Sequence, residues 1–377
     1  MFTGKLSAAQ FLEQYWQRKP LLLRQAFPGF RDPLTPEELA GLACEQDVES
    51  RLVFTEPTNW RLRSGPFTDK DFTSLPERDW TLLVQAVDQW VPAVKQLMQA
   101  VDFLPSWRID DVMISYATPG GGVGPHFDYY DVFLVQGKGS RVWRTGQRCT
   151  AADELRTDSG LKLLDFFATD SEYELHSGDV LYVPPGIAHW GTSRDDSLSY
   201  SIGFRAPSAA DMLIGFSDYL GDNLSPDQRY RDPLLQPDIA PGEISAAALQ
   251  QARHALLALV GDEAALARWF GTAMTQPRYP DRIVARRKLT PAMLNAAQYR
   301  LHPASRVAWT LRDGGILVFC DGDCSSWPDS SALRKLCAQL AVPGATLPAS
   351  LCQRNAACRA LRDQLLLQGS LLPERAR

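Results

Sequence analysis

Three of the five histidines in this 377-residue chain, His126, His176 and His189, fall in one stretch rich in β-forming residues. His126-Phe127-Asp128 sets two metal-ligand side chains two residues apart. In extended backbone such a pair points to one face, so both can reach a single ion. Sixty-three positions after His126 comes His189, preceded by Gly178-Asp179-Val180-Leu181-Tyr182-Val183-Pro184-Pro185-Gly186. That run reads as a strand closed by a Pro/Gly turn, which delivers the histidine at a fixed position beyond it. Two histidines and one carboxylate leave three adjacent coordination positions open. Non-haem Fe(II) oxygenases have this geometry, because a chelating cosubstrate and O2 both need room at the metal. His126, Asp128 and His189 are therefore the candidate metal ligands. His176 reads as a packing or surface residue, and His254 as part of an amphipathic helix.

A cosubstrate such as 2-oxoglutarate chelates through its keto acid and leaves a second carboxylate deep in the fold. A buried carboxylate needs a charged, hydrogen-bonding partner, and arginine offers a two-pronged one. Arg141-Val142-Trp143-Arg144 follows the turn Gly137-Lys138-Gly139. Arg141 and Arg144 have opposite parity, so only one can face inward. Arg141, sharing a face with Trp143, is the preferred anchor, although the pattern alone leaves both open.

The elements around these residues change along the chain. Up to about residue 105 the pattern is mixed. Ser7 can cap a helix carrying Phe11, Leu12, Tyr15 and Trp16, and Thr35-Pro36-Glu37-Glu38 is a capping box with proline at the first helical position. From about 108 to 206, short runs rich in Val, Ile, Tyr, Phe and Trp alternate with Gly/Pro turns. Strands are predicted at Asp111 to Ala117, Phe127 to Gln136, Arg141 to Thr145, Glu172 to His176, Val180 to Val183 and Leu198 to Phe204. Such spacing fits a closed or sandwiched antiparallel structure, a jelly roll or cupin. The cupin patterns G-x5-H from Gly120 and G-x5-P-x-G-x2-H from Gly178 are both present, so two linked motifs supply the ligands.

Beyond Pro207 the period turns helical, with helices predicted at Ser208 to Leu220, Ser245 to Val260 and Glu263 to Thr272. Pro226, Pro233, Pro237 and Pro241 mark an extended connection. The last unit has a helix after Thr290, a hairpin (Arg306 to Leu311, turn Asp313-Gly314-Gly315, Ile316 to Phe319) and helices near 329 to 340 and 349 to 366. Helices flanking a two-strand wing resemble a winged helix. The fold class is α+β, in three parts: a catalytic β domain over 1–207, a helical region over 208–276 and a winged-helix-like domain over 277–377.

Hydrophobic residues make up 45% of the chain and charged ones 22%, enough for a sizeable core and too apolar for a disordered chain. The net charge of −5 disfavours nucleic acid or an anionic membrane and favours a basic partner. Met1 to Gln10 lacks a basic segment followed by an apolar run, and no apolar stretch reaches the length of a membrane span, so a cytoplasmic protein is expected. The seven cysteines form no CxxC pair and read as reduced and mostly buried, not as a zinc site.

Phe11 to Arg24 (FLEQYWQRKPLLLR), Pro119 to Phe133 (PGGGVGPHFDYYDVF), Pro184 to Gly191 (PPGIAHWG) and Ser199 to Ser208 (SYSIGFRAPS) together resemble the JmjC-type ribosomal oxygenases. The resemblance spans essentially the whole chain and is greatest to bacterial members that hydroxylate an arginine of large-subunit ribosomal protein sixteen. It implies a double-stranded β-helix core, a helical homodimerisation region and a carboxy-terminal winged helix. It implies iron on His126, Asp128 and His189, and 2-oxoglutarate on Arg141. It implies that Asp111 and Ser201 hydrogen-bond a substrate guanidinium while Met113 and Tyr130 flank its stem. The reaction implied consumes O2 and 2-oxoglutarate, releases succinate and CO2, and hydroxylates the arginine β-carbon. The acidic residues Asp110, Asp111 and Asp131 suit a basic substrate. Beyond the metal ligands, no separate catalytic residue is implied.

Three rival readings stand beside this one. One is a JmjC hydroxylase or demethylase acting on another residue type. Another is a cupin metalloenzyme that does not use 2-oxoglutarate. The third is a ligand-sensing regulator whose winged helix binds DNA, which the acidic chain opposes. Its one dense basic cluster, Arg282, Arg286, Arg287 and Lys288, reads as a solvated linker face. Leu249, Leu256, Leu257, Leu259 and Val260 give the helical region more apolar surface than a peripheral helix needs, which points to a homodimer.

Overall fold

The computed structural model describes residues 6–55, 60–156, 160–235 and 240–374. Pro237 and Met1 to Lys5 lie outside the described residues. The chain divides into two compact units, residues 1–206 with 342–344, and residues 207–341 with 345–377.

The first unit contains β1 (Leu21–Leu23), β2 (Ser50–Thr55), β3 (Trp60–Ser64), β4 (Trp80–Val84), β5 (Ile109–Ala117), β6 (Val132–Gln136), β7 (Ser140–Arg148), β8 (Thr169–His176), β9 (Val180–Val183), β10 (Ile187–Ser193) and β11 (Ser197–Phe204). Eight of these form one antiparallel sheet in the order β1-β9-β6-β11-β5-β4-β2-β3, and β10-β7-β8 form another. Isolated bridges from Gly122 to Thr192 and from His126 to His189 add a further segment to the smaller sheet. Val132, Leu134, Leu181 and Val183 from the larger sheet share one buried cluster with Trp143, Leu175 and Ile187 from the smaller. Two sheets closed over a common interior make a double-stranded β-helix.

Strand parity sorts the larger sheet. Val112, Ile114, Leu198, Tyr200, Ile202 and Phe204 turn outward into a core shared with the amino-terminal helices. Phe11 is completely buried there, with its ring 5.0 Å from Tyr182 and 5.7 Å from Phe133. Its helix, Ala8–Gln14, is capped by Ser7 as the sequence predicts but ends before Tyr15 and Trp16, which pack on the core from the turn that follows. The helix Pro36–Leu42 has the predicted Thr35 capping box.

Two predicted features differ near the metal motif. The strand expected over Phe127 to Gln136 starts only at Val132. Upstream of it, His126 and Asp128 pair instead with residues 186–189: Gly186 N–H donates to the Asp128 carbonyl at 2.7 Å. His189 lies past the Pro184-Pro185-Gly186 turn as expected, but within β10, a strand the sequence reading did not predict. Gly191 belongs to that strand. It is required there because a Cβ would come within 2.8 Å of the Trp143 ring.

In the second unit, helices Ala209–Asn223, Ala246–Val260 and Glu263–Thr275 occupy the predicted segments. The wing has three strands rather than two: Val307–Arg312, Gly315–Cys320 and Asp323–Pro328. Asp313 and Gly314 both have positive φ, as a tight two-residue hairpin requires. The last predicted helix is broken into Ala349–Cys352 and Ala356–Gln368, because Asn355 caps a new start by accepting from Cys358 N–H at 2.7 Å. All seven cysteines are free thiols. Burial pushes the Cys337 and Cys352 thiols up, to about 12 and about 11. No described helix is long and apolar enough to cross a membrane.

Asp179 ties the amino-terminal segment to the β8–β9 turn. Its buried carboxylate accepts from Gln25 N–H at 2.9 Å, His176 N–H at 3.1 Å and the Arg24 guanidinium at 2.6 Å. Burial opposes ionisation, but these donors outweigh it and hold the carboxyl below its ordinary value. A depressed folded-state pKa contributes stability above the unfolded value of about 4, and that stability is lost as pH falls through the folded value. Asp179→Asn should therefore lower unfolding stability by about 1–3 kcal/mol at neutral pH. Urea titrations should show the gap from wild type closing below about pH 4. A gap independent of pH would contradict this role.

Candidate metal centre

His126 and His189 face each other through a reciprocal pair of backbone bonds, His126 N–H to His189 O at 3.1 Å and His189 N–H to His126 O at 2.8 Å. Their rings lie 4.3 Å apart. Each Nδ1 is tied to a carbonyl two residues upstream, that of Gly124 at 2.9 Å for His126 and that of Ile187 at 3.0 Å for His189. A ring that donates from Nδ1 presents the lone pair of Nε2, so both histidines aim the same atom inward. The Asp128 carboxylate lies 3.7 Å from His189 Nε2. Ligand atoms of the three residues all lie within 4.8 Å of one another, the one such group among the described residues.

The site favours the neutral, ligating form of its histidine. Burial, reinforced by His126, pulls the His189 pKa down to about 4, against the opposing pull of Asp128. Two imidazole nitrogens and a carboxylate fit a first-row divalent metal with three positions left open.

Arg141 is buried inside the β-helix with no carboxylate beside it. One guanidinium nitrogen donates to Ser115 Oγ at 2.9 Å and another to Ser197 Oγ at 3.0 Å, while Nε has no partner. Burial pulls its pKa down to about 10, the mark of a cation without a counter-ion. Trp143 Nε1, Ser199 Oγ and Gln136 Oε1 are likewise buried and unpartnered. Trp143 shares the parity of Arg141 on β7, and its ring is 5.9 Å from that of His189. A dianion with one end on the metal and the other on Arg141 fits this polar interior. Arg144, of opposite parity, points away: it pairs with Glu172 at 2.8 Å and stacks on Trp190.

Residues expected to hold substrate sit on the same inward faces. Asp111, Met113 and Ser115 alternate along β5, and Ser201 of β11 lies directly opposite Met113. Asp111 is buried and accepts from Gln85 Nε2 at 2.7 Å. The Tyr130 hydroxyl bonds Asp128; burial first, then Asp128, Asp111 and Asp110, keep it protonated. The expected acidic trio is corrected at one member, Asp131. Asp110 lies on the other face of β5 and pairs with Arg205 at 2.8 Å, and its charge still reaches Tyr130. Asp131 is completely buried and accepts from Tyr182 Oη at 2.6 Å and Gln17 Nε2 at 3.1 Å, so it fastens the amino-terminal segment and does not line the pocket. Parity cannot be counted through a loop, which is why the sequence misplaced it. Sequence reasoning also missed Ser115, Ser197 and Gln85; the alternation of Asp111, Met113 and Ser115 was the available signal for the first.

Residues 96–212 match the JmjC domain family, and residues 251–372 match the ROXA-like winged helix. The chain is 40% identical over 280 residues to the ribosomal protein uL16 3-hydroxylase of Escherichia coli, covering 73% of each protein. It is 41% identical over 209 residues to a probable ribosomal oxygenase of Haemophilus influenzae, covering 55% of this chain and 52% of that one. A crystal structure of Escherichia coli YcfD superposes with a TM-score of 0.85 at 33% identity, covering 98% of this chain and 99% of that one. The YcfD complex with cobalt and 2-oxoglutarate gives 0.82 at 33% identity, with the same coverage.

Substituting His126 or Asp128 by Ala should abolish stoichiometric Fe(II) binding and 2-oxoglutarate turnover, read by metal titration and succinate release. Arg141→Ala should keep the metal but weaken 2-oxoglutarate by about 2–5 kcal/mol, since it removes the partner of a buried charge. An unchanged KM for 2-oxoglutarate would sink that assignment.

Proposed function

The chain belongs to the JmjC-type ribosomal oxygenases, and on that premise we propose that it hydroxylates an arginine side chain of ribosomal protein uL16 at its β-carbon. The observation that carries the substrate class is Asp111. A buried carboxylate on the inward face of β5, beside the half-buried Met113 and close to Tyr130, matches a guanidinium at the end of an aliphatic stem. Ser201, opposite Met113, offers a hydroxyl to the same group.

His126, Asp128 and His189 would hold Fe(II), and Arg141 with Ser115 and Ser197 would hold the distal carboxylate of 2-oxoglutarate. When bound, iron, 2-oxoglutarate and O2 supply the oxidation: 2-oxoglutarate becomes succinate and CO2, and one oxygen atom goes to the substrate carbon. The chain's own contribution is placement. Gly124 and Ile187 carbonyls fix the two rings, and Gln85 fixes Asp111. Tyr130, kept protonated, steadies Asp128 from the substrate side. The sheet interior keeps bulk water from the reacting carbon.

The helical region over residues 208–276 is proposed to form a homodimer. The helix Ala246–Val260 buries none of its side chains, and Leu249, Leu256 and Leu257 are each more than half exposed. Large apolar surface of this kind is covered by a partner. Nucleic acid is not a proposed partner. A cytoplasmic location accords with a ribosomal substrate.

Intact-mass analysis of ribosomal proteins incubated with enzyme, Fe(II) and 2-oxoglutarate should show uL16 heavier by one oxygen atom, with fragmentation placing it on an arginine β-carbon. Modification of a lysine or histidine instead would reject the arginine reading. Sedimentation should give a dimer at micromolar concentration, and Leu256→Glu with Leu257→Glu should yield monomers.

A further inference from the structure

Among the described residues of the first unit, five large apolar side chains stand out as exposed: Leu12, Tyr129, Tyr130, Leu155 and Phe166. Four of the five belong to two neighbouring segments, the loop after the metal motif and the β7–β8 connection. Phe166 is 71% exposed and Tyr129 61%.

The connection is fastened beside the first metal ligand. Leu164 N–H donates to the Pro125 carbonyl at 2.8 Å, and Leu155 and Leu164 form a bridge within the segment. Leu163 packs with Trp60, and a Cβ on Gly124 would come within 2.9 Å of it. Met113 of the substrate pocket joins the same cluster. Tyr129 stacks edge-on against Phe127 at 5.2 Å, and Phe127 in turn packs against the cluster containing Leu164. Tyr129 and Leu155 are thus linked through Phe127 and Leu164 to the segment that packs on the pocket wall, and Phe166 stands two residues beyond Leu164.

The Phe166 backbone is fastened even though its ring is bare. The Gln147 side-chain amide brackets its backbone, donating to the Phe166 carbonyl at 2.9 Å and accepting from Ala168 N–H at 3.0 Å. Gly146 lets the two strands close, since a Cβ there would meet the Ala168 carbonyl at 2.3 Å. An exposed aromatic ring on ordered backbone loses little entropy on contact and is the kind of side chain that anchors interfaces. The surrounding charge is mostly negative: residues 160–176 carry Asp165, Asp170, Glu172 and Glu174 against Lys162, and Glu172 is paired with Arg144.

We propose that the rim formed by Tyr129, Leu155 and Phe166 is a docking surface for the substrate protein, taking a basic, partly apolar stretch that flanks the target arginine. This rests on uL16 being the substrate. The pocket selects the residue to be oxidised, while the rim selects the chain that carries it.

Steady-state kinetics with two substrates test it: intact uL16 and a short peptide centred on the target arginine. Phe166→Ala should raise KM for intact uL16 about tenfold, the cost of losing an aromatic anchor. It should leave kcat and the KM for the short peptide within about twofold, since neither uses the anchor. Phe166→Tyr should restore the wild-type KM. Equal KM for intact uL16 in F166A and wild type, or an equal rise for protein and peptide, would overturn the docking surface. Wild-type enzyme that leaves uL16 unmodified would overturn the substrate assignment, and with it the partner named here. The two failures are therefore read in different samples.

Discussion

The reciprocal backbone bonds between His126 and His189 are the constraint on which the metal centre depends. Side chains alone could not hold two imidazoles in register, because each has two rotatable bonds. A bridged backbone pair sets the Cα separation, and the Nδ1 bonds to Gly124 and Ile187 then set each ring's rotation. Close approach of the two segments requires residues without side chains nearby. A Cβ on Gly122 would lie 2.3 Å from the Gly191 carbonyl, and one on Gly191 would strike Trp143. These glycines serve the geometry of the metal from several residues away.

The two faces of β5 and β11 divide the work. Outward residues build the core with Phe11, Tyr182 and the amino-terminal helices, and this packing carries the stability. Inward residues are mostly polar, and two of them, Ser115 and Ser197, hold Arg141 of β7, whose Nε has no partner. A buried cation held only by hydroxyls is costly without its anion. The fold tolerates that cost because the apolar side of the same strands is well packed. Fixed hydroxyl and guanidinium donors aimed at one anion position are the arrangement that gives electrostatic selectivity.

Much of this was legible in the residues. Motif spacing located His126, Asp128 and His189, and strand parity allowed Arg141 or Arg144 but not both. The JmjC domain and the winged helix were recognisable from residue runs. What could not be read has physical reasons. β10 was hidden because Gly191 looks like a turn residue when its Trp143 neighbour is unseen. The strand Asp323–Pro328 is polar and largely half-exposed, so it lacks an apolar alternation. Serines carry no strand signal, so the partners of Arg141 emerged only with the tertiary fold. Asp131 follows a loop, where one extra bend exchanges pocket for core.

The alternation along β5 and β11 has an evolutionary consequence. Positions 111, 113 and 115 on one strand, and 197, 199 and 201 on the other, form a comb whose teeth all enter the cavity. The intervening positions never do. Chemistry in the cavity can therefore be rewritten at the inward polar positions while the outward packing with the amino-terminal helices stays in place. A sheet built this way separates the inheritance of the fold from the inheritance of its specificity, so one scaffold can drift among substrates without passing through unfolded ancestors.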